Sequence, residues 1–196
     1  MSRYDPTPHE NSVRSSREGA WNPAAEDGFP QDLRQWVGES ALLSWVLDAV
    51  QSICEPGGRA SGGTTPVPVG QPRVFLTLLT YCYAVGVYAS EEIEDRIPTD
   101  ATLCYLSAGA RPTWHDLRHF RRQTRKMLHQ ALSKVFQTAR EFRLWSIANM
   151  LQIDADWRDR LAVDSPRESR QTQLADLAAN DRINQAVLRD SMALDE

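Results

Sequence analysis

"ARPTWHDLRHFRRQTRK" (residues 110–126) packs five arginines and one lysine into a chain whose formal net charge is −4. Its punctuation decides the local structure. Asp116 follows Thr113 by three residues, which is the capping-box pattern with Asp in place of Glu, and Pro112 stands just before it. A helix is therefore expected from Trp114 to about Ala148. At roughly 100° per residue, Leu117, Phe120, Met127, Leu128, Ala131, Val135, Ala139 and Phe142 gather on one side. Arg118, Arg122, Arg125 and His129 gather about a third of a turn away, flanked by His115, His119 and Lys126. One helix thus carries a seam for a core and a stripe for something anionic.

Upstream, the same reading gives more helices. Leu33, Trp36, Val37, Leu43, Val46, Ala49, Val50 and Ile53 recur at three- and four-residue steps, and Gly38 puts the proper start near Glu39 or Ser40. Residues 73–86 are apolar nearly all round, as a helix at the centre of a core would be. Ser90 is placed to cap "EEIEDRI" before Pro98, Asp100 to cap "ATLCYLSA", and Gly109 to end that helix in a left-handed turn. Ser165-Pro166 with Glu168 is one more helix start. No strand pattern appears. The expected class is all-α: a small helix-turn-helix-like domain over residues 31–148, with a Gly/Pro/Ser-rich linker at 55–72. Residues 1–30 read as a disordered tail, and 149–196 as a polar, weakly helical one.

Charge distribution matters more than its sum. From Arg111 to Arg143 nine Lys or Arg face only Asp116 and Glu141, a net of +7, so the remainder carries −11. Cys54, Cys82 and Cys104 are odd in number and far apart, as reduced thiols of an intracellular protein are. The start lacks the apolar core of a secretory signal. The longest apolar run, residues 74–88, is shorter than the roughly 20 residues that span a bilayer, so no membrane partner is expected. His115 and His119 are spaced to share a metal but have no third ligand nearby. Asp154, Asp156 and Asp159 lack the Gly and Glu of a calcium loop. No cofactor or metal is expected.

The arginine stripe is costly as a plain solvated face, because like charges at helical spacing repel and no acid between Asp116 and Glu141 relieves them. Arginine over lysine favours bidentate contact with phosphate or guanine edges. Two short helices, a Gly turn and a helix with a basic start make a helix-turn-helix order, in which the last helix enters the major groove of duplex DNA by its N-terminus. Arg111, Thr113 and His115 are then expected near bases, and Arg118, His119 and Arg122 near bases or phosphate. Arg125, Lys126 and His129 are expected further along the backbone, and the helix N-terminus adds donors for a phosphate.

"ESALLSWVLDAV", "PRVFLTLLTYCYAVGVYASEEIED" and "LSAGARPTWHDLRHFRR" together resemble the N-terminal domain of DDE-type bacterial insertion-sequence transposases. The pattern falls on Tyr83, Gly86, Ser90, Ile93, Glu94, Gly109, Pro112, Phe120, Arg121 and Arg122, within roughly residues 39–145. The resemblance implies an all-helical domain that binds the DNA of element ends. The chain departs from the pattern at "TWHDL", where the family has a Ser/Thr-rich helix start, so base preference does not carry over. The family continues into an RNase H-like domain whose three acids hold two metal ions. Residues 146–196 lack the alternating strands of such a sheet. The expectation is a non-enzymatic, truncated or repurposed transposase, cytoplasmic and nucleoid-associated, that binds double-stranded DNA. The alternative is a protein-interaction module, as a homodimer or a mixed oligomer with a full-length transposase, using Val135, Ala139 and Phe142 as its seam.

Overall fold

A few positions admit only one backbone geometry, and they set the course of the chain. A computed structural model describes residues 28–54, 71–150 and 165–193. The fold is all-α, with seven helices and no strand among those residues. They are α1 (Arg34–Val37), α2 (Glu39–Cys54), α3 (Gln71–Ala84), α4 (Ser90–Arg96), α5 (Ala101–Leu106), α6 (Trp114–Met150) and α7 (Ser165–Met192). Most of the expected tail at 1–30 and of the linker at 55–72 lies outside the described residues, as do the three aspartates at 154–159.

Gly38, at φ +76°, separates α1 from α2 where the sequence placed the break. Gly86 is required twice over. Its φ is +85°, and a Cβ there would stand 2.9 Å from the carbonyl oxygen of Gln31. That close approach lets the entry segment lie across the end of α3, where the Leu33 amide donates to the Ala84 carbonyl at 3.1 Å. Asp100 caps α5 as expected, accepting from the amides of Thr102 at 2.8 Å and Leu103 at 3.1 Å.

α3 is the buried centre: every residue from Leu76 to Val85 is buried. α6 lies alongside it, and α2, α3, α4 and α7 all pack on α6. Phe75 meets Phe120 edge-on at 5.5 Å, and Phe29 meets Phe136 at 4.6 Å. Of the seam Val135, Ala139 and Phe142, the first two are fully buried in this core, and Phe142 is half-buried against Trp45 at 5.5 Å. No helix of the described residues is long and apolar enough to cross a membrane.

Two local expectations are corrected, and α6 carries a bend on which the sequence reading was silent. Ser90 does not cap α4: Ala89 holds the cap position without a side-chain bond, and Ser90 turns its hydroxyl to Asp190. α6 is not straight, because Thr124 leaves helical geometry (φ −110°, ψ 18°) while its hydroxyl donates to the Phe120 carbonyl at 2.8 Å. Threonine back-bonding of this kind bends helices. Residues 165–192, expected as one or two marginal helices, form one 28-residue helix. Ala175, Ala179, Ile183 and Ala186 are fully buried along it, and α6·α7 is the most extensive helix pair of the fold. Alanine is a weak hydrophobic signal, and Arg182 and Asp190, buried in the same region, look like surface residues in a sequence. Arg182 donates to the carbonyls of Pro30 and Gln31 and to the Tyr88 hydroxyl, tying α7 to the entry segment.

Gly86→Ala should lower stability by about 1–3 kcal/mol, since it adds backbone strain and a backbone clash. Gly109→Ala, at φ +77° with open space around it, should cost less. Urea unfolding followed by circular dichroism measures both, and equal losses would contradict the close approach at Gln31.

Candidate nucleic-acid interface

The start of α6 is the first part of the site. The capping box forms: the Asp116 carboxylate accepts from the Thr113 amide at 3.0 Å and hydroxyl at 2.7 Å. The Thr113 hydroxyl oxygen in turn accepts from the Asp116 amide at 3.3 Å. The Thr113 hydroxyl, then its amide, hold the Asp116 carboxyl below the usual carboxylate range. The cap is therefore complete at neutral pH and is lost only as pH falls through that lowered value. Glu94 of α4 adds a second anion, accepting from the Trp114 amide at 2.6 Å. The donors expected to meet a phosphate at this helix end are thus partly spent, on Glu94 and on Thr113. Trp114 is half-buried, stacked on His115 with ring centroids 3.5 Å apart, and the Arg118 guanidinium lies 5.2 Å from its centre.

Next along the helix is a buried polar cluster that the sequence reading missed. Arg121 and Asp190 are each 4% exposed and pair at 2.5 Å. Asp190 also accepts from the Ser90 amide and the Ser90 hydroxyl, both at 2.8 Å. Arg121 Nη1 donates to the Tyr83 hydroxyl at 3.0 Å. Burial works against the guanidinium charge, but Tyr83 and Asp190 outweigh it, so the Arg121 pKa is moved up. Burial likewise pushes the Tyr83 phenol well up, so it stays neutral. One signal was present: Arg121 sits one turn after Leu117 and two turns before Leu128, on the phase of the seam. A charge in that position implies a buried partner.

The expected basic stripe is divided by α7. Arg118 is only 11% exposed and stands 3.6 Å from Asp190. Arg125 donates to the Asn184 side chain at 2.7 Å, and His129 lies 3.2 Å from the Asp176 carbonyl. These three face the protein's own C-terminal helix. His115, His119, Arg122 and Lys126 are exposed, as is Arg111 in the segment leading into α6. Arg111, His119, Arg122 and Lys126 have no hydrogen-bond or ion-pair partner among the described residues. Before the bend at Thr124, His115, His119 and Arg122 follow at steps of four and three, which aligns them in one row beside Arg118, and Lys126 stands just beyond the bend. The Thr113 hydroxyl, expected near bases, is held by Asp116. Among the described residues no group of three His, Cys, Asp or Glu is placed to hold a metal.

All but one of the residues that carry the transposase resemblance have a task inside the fold. Tyr83, Ser90 and Arg121 share the buried cluster, and Glu94 caps α6. Gly86 and Gly109 take positive φ. Ile93, Pro112 and Phe120 are buried. Arg122 has no such task and is exposed. No family model matches the chain, and no curated protein or solved structure matches it.

Asp190→Ala should cost about 3–5 kcal/mol, because it strands a buried guanidinium. Arg121→Met combined with Asp190→Leu should recover most of that loss. Urea midpoints of the three chains decide the matter; a single variant as stable as the parent would remove Asp190 from the core of the account.

Proposed function

We propose that the protein binds duplex DNA through the exposed row His115, His119, Arg122 and Lys126, with Arg111 beside its start. On this reading it is a non-catalytic protein of transposase origin that acts in the cytoplasm, at the nucleoid. The row carries the proposal. Arg122 and Lys126 stand four residues apart with no acid within a turn of either, a like-charge pair that repels itself by a few tenths of a kcal/mol unless an anion meets it. A row on one face of a capped helix, reached through two short helices and a Gly109 turn, suits a groove flanked by phosphates. The chain's acidic balance is no obstacle, since binding follows the local field.

Arg122→Ala with Lys126→Ala should weaken duplex binding by at least about tenfold and lower the log–log salt slope by about two, with unchanged helicity. Gln130→Ala, exposed on the same helix but uncharged, should change neither. Fluorescence anisotropy of a labelled duplex over a range of salt measures both quantities. A double variant with the parent's affinity and slope would rule this interface out.

A further inference from the structure

The last turns of α7 are held down mainly by one polar contact. Beyond Ile183 only Ala186 and Asp190 are buried, while Leu188 and Met192 are 61% and 64% exposed. The end of the helix thus rests on the Asp190 carboxylate, and helix ends open more readily than helix centres. What Asp190 occupies is an anion cradle drawn from two other helices. Arg121 Nη2 meets it at 2.5 Å, the Ser90 hydroxyl and amide at 2.8 Å, and Arg118 Nε stands 3.6 Å off.

A carboxylate fills this cradle incompletely. Arg121 meets it with one nitrogen instead of the paired fork, and Arg121 Nε is buried without a partner. A phosphate brings more acceptor oxygens to the same donors. The cradle also adjoins the exposed row, because Arg118 lies one turn from both His115 and Arg122. The geometry points to a phosphate subsite of the duplex-binding surface, formed by Ser90, Arg118 and Arg121 and closed in the free protein by Asp190. The last turns of α7 are then an intramolecular latch that a DNA backbone phosphate displaces. This inference rests on the duplex-binding reading above.

The test keeps Asp190 in place. Cys104→Ser removes the exposed native thiol, and Met192→Cys carries a spin label at an already exposed position. A second chain carries the label at Leu177→Cys, also exposed but in the middle of α7. Duplex is added to saturation, with binding followed separately by anisotropy. The label at 192 should become mobile as duplex binds, and the label at 177 should not. Bound duplex with an unmoved label at 192 overturns the latch and leaves the duplex-binding reading standing. No binding of duplex by either chain or by the parent overturns both. Asp190→Asn gives a further arm where circular dichroism finds it folded. It should bind duplex about tenfold tighter with a salt slope steeper by about two, and Arg118→Gln in that background should cancel much of the gain. A folded Asp190→Asn chain with the parent's affinity and slope also overturns the latch.

Discussion

The ion pair between Arg121 and Asp190 is the constraint on which the rest depends. Two buried charges of opposite sign, contributed by helices α6 and α7, fix those helices in one register, since leaving either charge alone in the interior is prohibitive. Ser90 brings α4 into the same arrangement and Tyr83 brings α3. Four helices therefore meet at one polar point. Apolar packing supplies the bulk of the cohesion around it, and α7, whose buried apolar side chains among the described residues are three alanines and one isoleucine, adds polar contacts through Arg182 and Asp190.

That arrangement also answers why an acidic chain concentrates positive charge on one helix. The arginines of α6 do two jobs that a linear sequence does not separate. Arg121 neutralises a buried carboxylate, and Arg118 and Arg125 are engaged by α7. His115, His119, Arg122 and Lys126 remain on the outside. The free charge available to an external anion is thus smaller than the total suggests, and it is better aligned.

Much of this was legible in the sequence, and the reasons for the rest are physical. Caps and glycines were readable because their chemistry is local: Asp100, Thr113 with Asp116, Gly38 and Gly109 all sit where the turn residues put them. The all-round apolar α3 was readable because its burial needs no partner to be named. α7 was not, because its seam of alanines, with Arg182 and Asp190 among them, has the composition of a surface helix. The Thr124 bend was hidden for a similar reason, since one hydroxyl bond decides it. The candidate interface was half legible. The basic residues of α6 could be picked out by type and spacing, but which of them face outward depends on a helix whose contacts with them lie 47 to 69 positions further along the chain, a distance over which periodicity carries no information.

The most direct test of the account is a nuclear magnetic resonance titration with duplex DNA, following the side-chain signals of the basic residues of α6. His115, His119, Arg122 and Lys126 should shift together and in proportion to duplex bound. Saturable binding that left those four signals in place, while residues on another face shifted, would contradict it.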